Sequence, residues 1–227
     1  MSMIKAVFFD WVGTLARPEP DSHEIVRQVA QELGVELPRQ GLINGIHTAD
    51  NEVPVGSPPR WSEGKDEKPF ICWWKILSAE LGIEIPRDVM LQMTRRLSQV
   101  AKDIPWVLYD DVLPALEMLK QRGLVLGLIS NVGVGQARVG LGSYLDFVVT
   151  PEEAGAAKPK PPIFRLALKR AGVGAQEAIY VGDTYKKDVL GARGVGIKPV
   201  LIDRYDLEPE AGDCQRIRSL AELDSCL

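Results

Sequence analysis

Four short apolar runs punctuate the chain: Ile4 to Phe9, Leu124 to Ile129, Ala178 to Val181 and Lys198 to Ile202. A strand with one wet face alternates polar and apolar positions, whereas a strand buried on both faces is apolar throughout. These runs are of the second kind and predict interior strands. A weaker run, Asp146 to Val149, predicts a fifth. Pro114 to Arg122, Pro162 to Gly172 and Tyr185 to Gly194 carry apolar residues at helical spacing, each closing at or near a glycine. Strand and helix alternate, which predicts an α/β fold with a doubly wound, mostly parallel, Rossmann-like sheet.

The rhythm breaks between Pro18 and Pro105. Helical patterns at Ser22 to Leu33, Pro38 to Asp50, Lys68 to Leu81 and Pro86 to Asp103 follow one another with no convincing strand. Two domains are expected: a sheet-bearing core of residues 1–17 and 106–227, and an inserted all-helical cap of residues 18–105. Within the insert, Glu52 to Lys68 is rich in Pro, Gly and charge and is long for a helix connection. It reads as a solvated loop or as a lid over a site. Trp61, Trp73, Trp74 and Trp106 read as core packing, with one ring open to substrate as the alternative. No internal repeat is present.

Composition narrows the chemistry. The 227 residues hold 27 Lys and Arg against 31 Asp and Glu, a net charge of −4 with the basic residues scattered. This gives no electrostatic footprint for nucleic acid or for an anionic membrane. The apolar run Ile4 to Phe9 is far short of the ~20 residues a spanning helix needs. Cys72, Cys214 and Cys226, odd in number and widely spaced, suit reduced thiols in a cytoplasmic protein. His23 and His47 are the only histidines, so a multi-histidine metal site is excluded. Carboxylates and lysine remain. Gly133 and Gly135 follow a strand, but the third glycine of a dinucleotide fingerprint is out of place, and no phosphate-loop signature occurs.

Functional groups of open parallel sheets collect beyond the carboxyl ends of the strands. Those positions hold Asp10 after the first run, Ser130 and Asn131 after the second, and Asp183 after the run that ends at Val181. Gly13 permits a tight turn just past Asp10. Asp183 opens a helix and reads equally well as a cap. Were Asp10, Asp183 and Asp188 to converge, each pair at about 4 Å would repel by roughly 4 kcal/mol at an effective dielectric of 20, so a cation is required among them. Hard oxygen ligands suit Mg²⁺. Lys158 supplies a second positive charge that neutralises Asp10 and grips an anion, with Lys160 as the alternative.

The segments FFDWVGTL, LISN, KPKPPIF and VGDTYKKD, in this order and behind these strands, resemble the four signature motifs of the haloacid dehalogenase superfamily of hydrolases. The helical insert directly after the first motif is similar to the family's first cap class. The resemblance implies that Asp10 is a nucleophile forming a covalent aspartyl intermediate. It further implies that Ser130 and Lys158 hold the transferring group, with Thr14 and Asn131 beside the substrate. Asp183 and Asp188 would bind Mg²⁺ together with Asp10 and the Val12 carbonyl. The expected partner is a small phosphorylated or related anionic metabolite, and the expected assembly a monomer or homodimer.

One position departs from the pattern. Phosphatases of this family carry a second aspartate two residues after the nucleophile, and here that residue is Val12. Valine has no proton to give, so an acid/base step usually worth about 10² to 10⁴ in rate is absent or supplied elsewhere. Glu52, Glu63, Asp66 and His47 are candidates. FDWVGT is also similar to the first motif of phosphonoacetaldehyde hydrolases, which need a cap lysine. Lys65, Lys68, Lys75 and Lys102 are available, but 21–60 contains none. The dehalogenases proper work without metal and have an aromatic residue at position 12. The leading expectation is a Mg²⁺-dependent phosphatase. Hydrolysis of a phosphonate or a 2-haloacid is the second, and a phospholigand-binding protein without turnover the third.

Overall fold

A computed structural model describes residues 3–53, 68–132, 141–208 and 211–227. The chain divides into two compact units, Met1–Arg17 with Leu108–Leu227, and Pro18–Val107.

The first unit is built on a six-stranded sheet. Its strands are β1 (Ala6–Phe9), β4 (Val125–Ile129), β5 (Phe147–Val149), β6 (Ala178–Gly182), β7 (Lys198–Ile202) and β8 (Gln215–Ile217). They lie in the order β5-β4-β1-β6-β7-β8, and every pairing is parallel. From β1 the chain goes first to β4 on one side and later to β6 on the other, so the winding reverses beside β1. That reversal opens a crevice at the carboxyl ends of the strands.

All four residues of β1 are buried, as its unbroken apolar sequence requires. Ala6 and Phe8 join Ala178 and Tyr180 of β6, Ile129 of β4, and Ile163, Phe164 and Ala167 of α7 (Pro161–Ala171) in one core cluster. Val7 and Phe9 alternate to the other face. A fully buried Phe contributes about 1.5–3 kcal/mol through burial of its side chain. α5 (Val112–Gln121) buries Val112, Ala115, Leu116 and Leu119, a helical stripe. The five apolar runs are all strands. β8 and the closing 3₁₀ turns Leu220–Cys226 escaped the sequence reading because QRI is short and polar.

The second unit packs α1 (Ser22–Glu32), α2 (Leu42–Glu52), α3 (Lys68–Glu80) and α4 (Arg87–Val100) around a cluster that includes Val26, Leu42, Trp74, Leu77, Met93 and Leu97. Trp73 and Trp74 are core residues. The Trp74 indole donates to Thr94 Oγ1 at 3.0 Å and the Trp73 indole to Asp50 Oδ1 at 2.7 Å. Trp61, and most of the Glu52 to Lys68 connection, lie outside the described residues, as do Gly133 and Gly135. Two expectations are corrected. The second helix begins at Leu42, not Pro38, because Gly41 enters it from a left-handed conformation with φ of 78°. Strands also occur at the margins of the insert, where β2 (Ala16–Pro18) pairs with β3 (Trp106–Leu108). Three residues including a proline carry too little pattern to be read as a strand.

Candidate active site

Parallel register sets the rim of the sheet. Phe9 stands level with Leu128 on β4 and Val181 on β6, so the residues just past these strands leave the same edge together. Asp10 N–H extends the ladder by donating to Val181 O at 2.9 Å, and Ser130 N–H donates to Val149 O at 3.1 Å. Asp10, Asp183 and Asp188 each turn a carboxylate oxygen to the same place, all within 4.8 Å of one another.

Two glycines make this approach possible. Gly13, with φ of 80°, lies so close to Asp183 that a Cβ there would fall 2.2 Å from Asp183 Oδ2. A Cβ on Gly182 would sit 2.4 Å from Asp188 Cγ. Any side chain at either position would displace a carboxylate. Asp188 itself lies on the π-helical turn Tyr185–Val189 that leads into α8 (Leu190–Arg193). Its Oδ2 accepts from Thr184 N–H at 3.0 Å.

Lys158 reaches this group from the loop before α7. Its ammonium donates to Asp10 Oδ1 at 2.5 Å, Asp188 Oδ1 at 2.7 Å and the Tyr180 hydroxyl at 2.8 Å. The lysine is 3% exposed. Burial opposes its charge, but Asp10 and Asp188 more than offset that and push its pKa above the ordinary lysine value. Burial drives Asp183 well above the usual carboxylate range, and the charges of Asp10 and Asp188 add to the rise. Asp10 is raised in the same direction by burial, with Lys158 pulling back against it. Three acids around one lysine leave negative charge in excess, which a hard divalent cation would neutralise. The donor set therefore fits such an ion.

A family model described as haloacid dehalogenase-like hydrolase matches residues 4–196. The chain belongs to that family. It is 38% identical over 212 residues to the haloacid dehalogenase-like hydrolase domain-containing protein 3 of Danio rerio, covering 89% of this chain and 86% of the relative. It is 41% identical over 113 residues to the glyceraldehyde 3-phosphate phosphatase of Methanopyrus kandleri, an alignment spanning 46% of this chain and 48% of the relative. The crystal structure of a HAD phosphatase from Thermococcus onnurineus superposes with a TM-score of 0.57 at 24% identity, over 98% of this chain and 97% of that one. The last likeness concerns the fold.

Within this haloacid dehalogenase fold the remaining expected residues take distinct places. Ser130 is 1% exposed and its Oγ accepts from Val132 N–H at 3.2 Å. Asn131 clasps the lysine loop: its amide donates to Lys158 O at 3.1 Å and its carbonyl accepts from Lys158 N–H at 2.7 Å. That side chain is committed to holding the loop. Thr14 is fully buried, and its Oγ1 has no hydrogen-bond partner among the described residues. Val12 is half-buried in a turn closed by Leu15 N–H and Ala16 N–H, both donating to Trp11 O. Among the candidate substitute acids, Glu52 is exposed at the end of α2 and the His47 ring is hydrogen-bonded to the Asn51 amide at 3.0 Å. Glu63 and Asp66 lie outside the described residues, as does Lys65.

The sequence reading missed a second support. Arg204, past the end of β7, grips Asp111 through two hydrogen bonds of 2.8 and 2.9 Å and donates to Thr14 O at 2.8 Å. Its guanidinium lies 3.9 Å from the centre of the Tyr109 ring. Ser219 Oγ and Leu220 N–H also donate to Asp111, at 2.7 and 2.9 Å. Against the effect of burial, these bonds hold the Asp111 carboxyl below its ordinary pKa. The turn that follows Asp10 is thus tied to the segments that follow β7 and β8. Nothing in the spacing of positions 14, 111 and 204 announces this.

Proposed function

We propose that this hydrolase is a Mg²⁺-dependent phosphatase acting on a small phosphorylated metabolite through Asp10. The observation that carries the reading is the Lys158 ammonium 2.5 Å from Asp10, inside a set of three converging carboxylates. Asp10, the Val12 carbonyl and Asp183 would hold the ion, with Asp188 beside it. When bound, Mg²⁺ neutralises phosphoryl oxygens and brings the anion to a carboxylate that would otherwise repel it.

The protein supplies the rest. An Asp10 carboxylate oxygen attacks phosphorus, and the ester oxygen departs with the bonding pair and takes a proton from solvent water to leave as the alcohol. Lys158 favours the ionised form of Asp10 against the effect of burial and counters the charge of the phosphoryl group. Ser130 donates a hydrogen bond from its hydroxyl to a phosphoryl oxygen. Water then cleaves the aspartyl phosphate and restores Asp10. The glyceraldehyde 3-phosphate phosphatase among the relatives supports a small phosphate ester as the substrate class.

Val12 favours a second reading, hydrolysis of a phosphonate or a 2-haloacid, because those leaving groups need no proton from position 12. A panel of phosphate esters, phosphonates and 2-haloacids, assayed with and without Mg²⁺ for wild type and Asp10→Asn, separates the two. The expected outcome is phosphate release from esters that requires Mg²⁺ and vanishes in Asp10→Asn. Turnover of phosphonates or 2-haloacids alone establishes the second reading. Tight binding of a phosphorylated ligand without release of phosphate makes the protein a binder. Full activity of Asp10→Asn overturns the nucleophile.

A further inference from the structure

Among the described residues Tyr180 is one of five large, fully buried aromatic side chains, and it is the one of these whose polar atom meets the charged group described above. It lies in the strand AIYVG, in the same core cluster as Phe8 of β1 and Phe164 of α7, and its ring packs edge-on against Phe164 at 5.3 Å. Its hydroxyl accepts from Lys158 at 2.8 Å and donates to Asp188 Oδ1 at 2.8 Å. We infer that Tyr180 is a positioning residue, which with Asp188 forms a fixed seat for the Lys158 ammonium and aims it at Asp10.

The hydrogens of the ammonium decide its aim. An ammonium has three and no acceptor. At Lys158 one goes to Tyr180, one to Asp188 and one to Asp10. Two of the three partners stand on or just beyond a single element, β6 and the turn that follows it, so the seat is built into the sheet. A flexible four-carbon stem has many ways to place its charge. Two fixed acceptors remove that freedom, and the third N–H has one direction left. With phenylalanine in place of tyrosine, one ammonium hydrogen is buried without a partner, and the lysine gains by turning away from Asp10 to satisfy it. Packing alone would be served by phenylalanine, the residue at the neighbouring position of β1.

The inference rests on the proposed role of Asp10, and its test includes a measurement that does not depend on turnover. In metal-free ¹⁵N-labelled protein, a buried ammonium with three partners is expected to give a slowly exchanging side-chain signal, assigned by its absence in Lys158→Met. Tyr180→Phe should fold, lose that signal to exchange, and release phosphate with kcat about tenfold lower and KM changed less than twofold. Phe164→Leu, which loosens the ring contact but leaves the hydroxyl in place, should lower stability while keeping the signal and keeping kcat within twofold. Retention of both the signal and wild-type kcat in Tyr180→Phe overturns the inference. Absence of a protected Lys158 signal in the wild-type protein overturns it without any variant at Tyr180. A wild type that turns over no phosphate ester but whose protected signal disappears in Tyr180→Phe defeats the phosphatase reading and upholds the seat.

Discussion

The two units bury polar groups of different kinds. Among the described residues of the helical unit the buried polar side chains are Ser78, Thr94 and Ser98, all neutral hydroxyls. Ser78 and Thr94 bond to carbonyls of their own helices, at Lys75 and Met90. In the sheet unit the buried set includes Asp10, Lys158, Asp188 and Asp203. A hydroxyl satisfied by its own helix is cheap to bury, whereas a buried ion costs several kcal/mol and is recovered only by close partners. An apolar interior would stabilise the sheet as well or better. Retention of ions there is what the proposed chemistry at Asp10 requires.

Replacing Lys158 by methionine should produce the largest effect. Phosphate release is expected to fall by about 10³-fold or more, and stability in urea by about 3–5 kcal/mol because two buried carboxylates lose their partner. The lysine's folded pKa is raised, so its contribution is complete below its ordinary value of about 10.4 and is lost as pH climbs through the folded one. The wild type should therefore lose this margin only in alkali, while the variant has none to lose. Equal stabilities at pH 8 would erase the contrast between the units.

Val12→Asp should act in the other direction. It restores a proton donor at the turn after Asp10, and phosphate-ester turnover is expected to rise, by up to about 10²-fold. A slower Val12→Asp enzyme would mean that the acid is already supplied from another position.

Mg²⁺ should stabilise the protein most where the carboxylates are ionised. Asp10 and Asp183 both have raised pKa values, so the stability they contribute is complete below about 3.9 and is lost as pH rises through their folded values. Saturating Mg²⁺ should consequently raise the melting temperature by a few degrees at pH 8 and by clearly less at pH 5. A pH-independent shift would place the ion elsewhere.

The smallest effect belongs to the helical unit. Thr94→Val removes the acceptor of the Trp74 indole and should cost about 1–2 kcal/mol in urea unfolding, with kcat unchanged. A change in kcat would show that the interior of this unit also serves the reaction.

What could be read from sequence follows the same division. Buried parallel strands declare themselves as apolar runs, and the ends of those runs point to Asp10, Ser130 and Asp183 directly. Amphipathic helices of the insert were likewise legible, though the start of α2 was obscured by a glycine turn. Tyr180 was hidden because an apolar run counts its ring and ignores its hydroxyl. Asn131 was visible, but its bond to the Lys158 backbone depends on where a loop 27 residues away returns. Arg204 and Asp111, 93 positions apart, are joined by a guanidinium geometry that no periodicity encodes.

The central place of β1 governs the order in which this protein can be made. Its two neighbours in the sheet are β4 and β6, and Lys158 lies 148 positions from Asp10. During synthesis the sticky segment AVFF leaves the ribosome before either of its flanking strands, which lie far later in the chain. The local helices of the insert can form in the interval, giving the waiting strand no sheet to join. Early translation products are thus inert and prone to self-association, and chaperone demand should peak before β6 is synthesised.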